Sequence, residues 1–85
     1  MPGDYKVYSF KLRKDANGKF GFRLSEERNN VKAVHQGGEA ERSGLLVHDE
    51  ILRIDGVTPR DYDHLIELFR KNEVEIMILR KSQGE

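Results

Sequence analysis

The sequence predicts a mainly β domain of the α+β class, a small barrel or sandwich of short strands capped by one short and one longer helix. Its 85 residues suffice for one domain and are too few for two independent cores. Most apolar segments alternate with a period of two, which is typical of half-buried strands. A single segment, near the C-terminal end, has helical periodicity, and strands this short must pack together to bury an apolar face.

Three strands are predicted in the first half of the chain. Residues 7–12 alternate apolar and polar side chains, and residues 14–19 form a polar turn that contains an Asn-Gly pair. A second strand is expected over residues 20–25 and a third over residues 31–34, with a polar loop at 26–30 between them.

The second half is predicted to contain both helices. A single helical turn over residues 39–43 is ended by Gly44. A strand over residues 49–54 leads into the tight turn Asp55-Gly56, with a short extra strand expected near Val57.

The longer helix is predicted from one apolar stripe. Tyr62, Leu65, Ile66 and Phe69 fall at positions i, i+3, i+4 and i+7, and Asp61 precedes them as a capping residue. A last strand over residues 74–79 follows.

Composition excludes several classes of protein. Fifteen basic and fifteen acidic residues cancel, which argues against a nucleic-acid binder that neutralises phosphates. The chain has no Cys, its three His lack metal-ligand spacing, and no G-x-S-x-G motif occurs. We therefore expect no catalytic residue, no metal and no cofactor. No apolar run approaches the roughly 18 residues of a membrane span.

The segment Lys19-Phe20-Gly21-Phe22 is the candidate binding loop. It places two aromatic residues around a glycine at the start of a predicted strand. Gly21 allows the backbone to turn successive N–H groups toward one point, which makes a nest for an anion. The alternative is that Phe20 and Phe22 are ordinary core residues.

An apolar pocket is expected beside this loop. Phe22 and Leu24 share one face of the second strand, and Ile66 and Phe69 of the longer helix supply an opposite wall. An anion nest above an apolar pocket suits a free C-terminal carboxylate that follows an apolar last side chain.

Three motifs together resemble those of PDZ domains. They are the X-Φ-G-Φ loop at residues 19–22, the G-G-x-A and S-G-L segments at 37–40 and 43–45, and the D-x-I-L-x-V-N-G segment at 49–56, with Asp55 for the usual Asn. The resemblance runs from about Val7 to Arg80. It implies an N-terminal extension at 1–6, the domain at 7–80 and a frayed tail at 81–85, in an antiparallel arrangement of about five or six strands.

The resemblance also implies a binding mode. The C-terminal peptide of another protein would add as a strand between residues 22–26 and the longer helix. The amides of Phe20, Gly21 and Phe22 would hold its carboxylate, and Lys14 or Arg13 would assist through water. The pocket for an apolar last side chain would be lined by Phe20, Phe22, Leu24, Ile66 and Phe69.

Peptide specificity depends on which residue begins the helix. In this family the first helical residue contacts the peptide residue third from the end. Counting from Gly56 puts His64 there, which would select Ser or Thr. Helical periodicity puts Tyr62 there, and we prefer it because the His64 register would bury Glu67 against the core.

Charge along the groove is a second specificity element. Arg23 and Ser25 point away from the pocket side chains of the second strand. The family pattern places Arg23 beside the second-last and fourth-last peptide residues, with Lys32 nearby. These two cations are expected to favour acidic peptide residues, and the alternative is that they only solvate the sheet.

The leading functional hypothesis is therefore a non-catalytic peptide-binding module. Alternatives are a phosphoinositide binder that uses Lys11, Arg13, Lys14 and Lys19, and a self-association module. We expect no nucleic-acid partner, at most weak membrane contact, and a monomer. The expected location is cytoplasmic, beneath the plasma membrane or at cell junctions, as part of a larger protein.

Overall fold

The computed structural model describes residues 4–26 and 29–81. Within these residues it contains five strands and two helices. In chain order they are β1 (Tyr5–Arg13), β2 (Phe22–Leu24), β3 (Val31–Val34), α1 (Glu39–Ser43), β4 (Glu50–Ile54), α2 (Tyr62–Leu68) and β5 (Glu73–Lys81). This order confirms the predicted mainly β fold with one short and one longer helix.

The strands form two antiparallel sheets. One sheet has the order β1-β5-β4, and the other consists of β2 and β3. An isolated bridge between Asn30 and Glu50 joins β4 to the start of β3. Backbone hydrogen bonds from Val31 to Asp49 and from His48 to Val31 lie beside this bridge. Because no continuous ladder joins the two sheets in the described residues, the fold is an open sandwich rather than a closed barrel.

The core lies between the two sheets and under both helices. On β5, Val74, Ile76 and Ile78 are at most 2% exposed, as the period of two predicts. The remaining buried apolar residues are Leu12, Phe20, Val31, Ala40, Leu45, Ile51, Ile54, Leu65 and Phe69.

The turn at Asp55-Gly56 forms as predicted. Both residues have positive φ, 53° and 82°, which is the geometry of a type I′ turn. The backbone groups of Ile54 and Val57 bond across it at 2.9 and 3.0 Å. Val57 therefore forms a single bridge in place of the expected extra strand.

Both predicted helix ends are confirmed. Asp61 caps α2 because its carboxylate accepts a hydrogen bond from the His64 N–H at 2.8 Å. Gly44 ends α1, and its N–H donates to the carbonyls of Ala40 and Glu41.

Strand β2 is shorter than the predicted 20–25. Phe20 lies outside the ladder because its carbonyl accepts from the N–H of Ala40 in α1, at 2.9 Å. Gly21 has a φ of 90°, far from the negative φ of regular strands. The chain therefore approaches β2 through a loop bound to α1.

Strand pairing slightly exceeds the proposed limits of the domain. Tyr5 pairs with Lys81, so β1 and β5 extend beyond residues 7 and 80. Residues 1–3 of the expected extension and 82–85 of the expected tail lie outside the described residues.

Candidate functional site

A groove of about 1410 Å³ lies between β2 and α2. Its walls combine the candidate loop, both strands of the smaller sheet and one side of α2. The predicted site residues among its lining are Phe20, Gly21, Phe22, Arg23, Leu24, Ser25, Lys32, Tyr62, Ile66 and Phe69. Lys14 and His64, both described, are not part of this lining.

The turn before the candidate loop is closed by Asp15. Its carboxylate accepts hydrogen bonds from the N–H groups of Asn17 and Lys19, at 2.8 and 3.0 Å. This Asx turn uses the short side chain that the sequence places before Asn-Gly, and it fixes where the loop begins.

The loop itself is held through its carbonyls. The Phe20 carbonyl accepts from Ala40, and the Gly21 carbonyl accepts from His35 at 2.8 Å. Among the described residues, the N–H groups of Phe20 and Gly21 have no protein acceptor. Two adjacent backbone donors are thus available to an anion at one end of the groove.

Gly21 packs so closely against Gly38 that a Cβ on either residue would push the other backbone away. A Cβ built on Gly21 would lie 3.3 Å from the Gly38 Cα, and a Cβ on Gly38 would lie 3.3 Å from the Gly21 Cα. The Gly-Gly pair noticed in the sequence therefore supports the binding loop. Sequence reasoning missed this role, because it requires knowing that α1 and β2 meet in space.

The outer edge of β2 is open to the groove. On the β3 side, the Gly21 carbonyl accepts a hydrogen bond at 2.8 Å and the Ser25 N–H donates one at 2.9 Å. Bonded and non-bonded positions alternate along an antiparallel pair. The backbone groups of Phe22 and Leu24 therefore point away from β3, where a further strand could bond to them.

Three phenylalanines form one end of the groove. The ring of Phe69 lies 5.5 Å from that of Phe20 and 5.4 Å from that of Phe22, both edge-to-face. Phe20 and Phe69 are 9% and 8% exposed, so they are core residues as well as groove lining. Ile66 is 41% exposed on the groove side of α2.

Comparison with known proteins fits this geometry. The family model described as the PDZ domain matches residues 9–83, which is most of the chain. The chain belongs to the PDZ domain family. That family is a non-catalytic protein-interaction module.

Two solved PDZ domains have the same fold. The PDZ domain from choanoflagellate SHANK1, bound to a GIRK3 peptide, has a TM-score of 0.84 at 24% identity and covers 95% of this chain and 99% of its own. The solution structure of the PDZ domain from human FERM and PDZ domain containing 1 has a TM-score of 0.79 at 24% identity, with 99% and 94% covered.

Curated relatives are much longer proteins. Glutamate receptor-interacting protein 2 of Xenopus laevis is 42% identical over 48 residues, which is 52% of this chain and 4% of that protein. The guanine nucleotide-binding protein G(s) subunit alpha of Schistosoma mansoni is 33% identical over 67 residues, 73% of this chain and 18% of that protein. The chain thus spans a small fraction of each relative.

The start of the PDZ helix is occupied by Tyr62. Leu65, three residues later, is fully buried, whereas Glu67 is exposed. The hydroxyl of Tyr62 makes no hydrogen bond with any described residue, and Tyr62 lines the groove. His64 instead accepts from the Arg60 N–H through its Nδ1, at 3.0 Å.

Lys14 lies beside the pocket but is already bonded. Its ammonium donates to the Arg70 carbonyl, 2.9 Å away, just past the end of α2. It also lies 5.5 Å from the centre of the Phe20 ring. Arg13 lies 3.8 Å from Glu73. These contacts direct neither the Lys14 ammonium nor the Arg13 guanidinium toward the unbonded N–H groups of Phe20 and Gly21.

Arg23 and Lys32 share the outer face of the smaller sheet because of a β-bulge. The pairing shifts from Arg23–Ala33 to Leu24–Val31, so Lys32 is the extra residue. Lys32 and Ala33 therefore both point outward, on the face of Arg23. Neither Arg23 nor Lys32 forms an ion pair within the described residues.

The described residues bear on three other features: a metal site, a membrane-spanning helix and a basic cluster. They contain no group of three His, Asp or Glu that could hold a metal ion. No helix in residues 4–26 and 29–81 is long and apolar enough to cross a membrane. In the basic cluster of β1 and the following turn, Lys11 lies opposite Glu75, and Lys14 is bonded as above.

Proposed function

We propose that this PDZ domain binds the free C-terminus of a partner protein, which adds as an antiparallel strand to the open edge of β2. The observation that carries the proposal is the pair of unbonded N–H groups at Phe20 and Gly21, directly before that edge. A terminal carboxylate would accept from both, and bonds to a charged acceptor are about twice as strong as neutral ones.

The last side chain of the peptide would enter the phenylalanine pocket. Phe20, Phe22 and Phe69 close the bottom of this pocket, with Leu24 and Ile66 along its sides. Three large rings leave a slot of medium size, which suits Val, Ile or Leu. An interface this small supports roughly micromolar affinity.

The third-last peptide residue would face Tyr62. In a strand added to β2, the last and third-last side chains share the face toward α2. The unbonded phenolic hydroxyl of Tyr62 can donate to an acidic residue, and its ring can contact an apolar one. The bond of His64 to Arg60 supports this register over the one that selects Ser or Thr.

The second-last and fourth-last peptide residues would face Arg23 and Lys32. Both cations lack an ion-pair partner among the described residues, so acidic peptide side chains would supply one. Each contact would be exposed and is worth less than about 1 kcal/mol. The preference should therefore weaken as salt is added.

Fluorescence polarisation with matched peptides tests the proposal. A peptide ending in a free carboxylate should bind at least about tenfold more tightly than its amidated counterpart. Exchanging Glu for Lys at the second-last and fourth-last positions should weaken binding at low salt and matter less at high salt. Equal binding of the acid and the amide would contradict the carboxylate site; equal binding of the Glu and Lys peptides would remove only Arg23 and Lys32.

We further propose that the domain acts as one module of a longer cytoplasmic protein. The much greater length of the curated relatives supports this. Fractionating cells that express the whole protein would test the location.

A further inference from the structure

The outer edge of β1 is a second exposed strand edge. In the described residues β1 pairs with β5 alone. Exposed apolar residues concentrate on its first half: Tyr5, Val7 and Tyr8 are 58%, 54% and 37% exposed. A long edge strand with such side chains is a template for pairing with another chain.

Two hydrogen bonds fix which backbone groups face outward. Lys14, just after β1, donates from its N–H to Asn72 at 2.8 Å, so this position is bonded toward the β5 side. The Lys11 carbonyl instead accepts from the Ser43 hydroxyl of α1 at 3.0 Å, away from β5. By strict alternation, the odd-numbered residues of β1 present their N–H and C=O groups outward.

Helix α1 closes one end of this edge. Ser43 occupies the Lys11 carbonyl, so the outward backbone groups on the N-terminal side of this contact, within the described residues, are those of Tyr5, Val7 and Ser9. Many edge strands are protected by Pro, by a bulge or by several charges. This stretch has no Pro or bulge, and Lys6 is its single charged residue.

We propose that a second copy of this chain pairs antiparallel with β1 along residues 5–9, with Val7 of each copy at the centre. A two-fold axis perpendicular to the sheet pairs outward residues with outward residues. Centring on Val7 uses all three available positions, since Tyr5 then faces Ser9 of the other copy. A shift centred on Lys6 would oppose two ammonium groups, and one centred on Tyr8 would need the occupied Lys11 carbonyl.

The side chains fit this register. The two Val7 side chains would lie about 5.5 Å apart at their Cα atoms and cover each other. On the same face, half-buried Met77 and Leu79 of β5 lie opposite Ser9 and Val7 and extend the apolar surface. Five residues a side make a small interface, so the dimer forms at high or local concentration and the chain is monomeric at micromolar concentration.

Analytical ultracentrifugation of the whole chain, from about 10 µM to about 1 mM, tests this pairing. The average mass should rise toward that of a dimer. Val7→Pro removes an outward N–H that β5 does not use, and should weaken association at least about tenfold. Val57→Lys changes an equally apolar exposed residue elsewhere and should leave association as it is.

Peptide binding provides the control for folding. The groove between β2 and α2 does not include β1, so Val7→Pro should bind C-terminal peptides like the unmodified chain. If Val7→Pro fails to fold, association is measured with Val7→Lys instead, which should weaken it as well. The proposal fails if the chain stays monomeric throughout, or if a dimer persists in the folded Val7 variant.

Hydrogen exchange locates the contact within the strand. As concentration rises, the Tyr5, Val7 and Ser9 amides should become protected, while the Lys6 and Tyr8 amides, bonded to β5, should not change. Protection at other sites with none at Val7 would assign the dimer to another surface.

Discussion

Asp55 stands where the family pattern has Asn, and this single difference places a negative charge in the turn. Its carboxylate accepts from the Glu75 N–H at 2.9 Å and from the Lys71 ammonium at 3.0 Å. The backbone hydrogen bond from Glu75, and next the bond from Lys71, lower the pKa of Asp55 below its ordinary 3.8. The family's usual Asn could keep the first bond and would carry no charge.

Asp55→Asn should make stability less dependent on pH. Because the pKa of Asp55 is lowered on folding, its stabilisation is present above the unfolded pKa and is lost as pH falls through the folded pKa. Urea unfolding between about pH 5 and about pH 2 should show a shallower loss of free energy in the variant. An unchanged slope would mean that the bonds of Asp55 do not favour its charged form.

Tyr62→Phe and His64→Ala should separate the two helix registers. Removing the Tyr62 hydroxyl should alter selectivity at the third-last peptide residue, because that hydroxyl makes no hydrogen bond with any described residue and Tyr62 lines the groove. His64→Ala should change selectivity little. A peptide-library screen of both variants gives the answer, and the reverse pattern would restore the His64 register and its Ser or Thr preference.

At the scale of elements, the binding loop is defined by backbone packing more than by side chains. Gly21 combines a φ of 90° with a Gly38 contact so close that a Cβ could fit only if the backbone of Gly38 moved. Gly18, three residues earlier, has a φ of 77°, and no described atom outside Gly18 and its two chain neighbours lies within 4 Å of the position that a Cβ would take there. The two glycines therefore share a positive φ and differ in whether another backbone lies close to them, so substitutions at the two positions can be compared.

Gly21→Ala should damage binding, whereas Gly18→Ala should only reduce stability. Both changes incur the left-handed strain of about 1–2 kcal/mol. Gly21→Ala must also displace α1 or turn the loop amides, so peptide affinity should fall at least about tenfold. Calorimetric titration of both variants measures this, and equal affinities would show that the loop tolerates displacement.

Periodic elements could be predicted from the sequence because burial follows periodicity. Val74, Ile76 and Ile78 alternate and are buried, and Leu65 is buried where the stripe of α2 requires it. The bulge could not be predicted, since Lys32 and Ala33 point outward in succession and break the alternation. The family resemblance alone placed Lys32 near Arg23.

Contacts between segments that are distant in the chain also could not be predicted from the sequence. Lys14 was predicted to assist the carboxylate, yet its ammonium is bonded to the Arg70 carbonyl. That contact depends on the turn after β1 meeting the end of α2, which no local pattern encodes. The role of Lys14 or Arg13 toward the peptide stays a prediction.

At the scale of the whole molecule, one buried ion pair joins separate segments. The guanidinium nitrogens Nε and Nη2 of Arg80 bond to the Asp49 carboxylate, at 2.8 and 2.7 Å, and Nη2 also bonds to the Gly44 carbonyl. The Arg80 guanidinium stacks on Tyr8 of β1, 4.6 Å from the ring centre. Asp49 thereby raises the pKa of Arg80 and links β5 to the segment before β4.

Asp49→Ala should destabilise the fold by about 3–5 kcal/mol, because it leaves the largely buried Arg80 charge without its partner. Urea unfolding at neutral pH measures the loss. The exposed pair Lys71–Asp55 supplies a comparison, since Lys71→Ala should cost less than about 1 kcal/mol. Similar losses in the two variants would contradict the structural role of the buried pair.

Proton–nitrogen correlation spectra that follow the amide signals of Phe20 and Gly21 test the carboxylate site most directly. A saturating peptide with a free C-terminus should shift both signals strongly downfield, because their N–H groups begin to donate to a carboxylate. The amidated peptide, at equal concentration, should shift them much less. Unmoved Phe20 and Gly21 signals in the presence of a peptide that shifts other signals of the spectrum would contradict the carboxylate site.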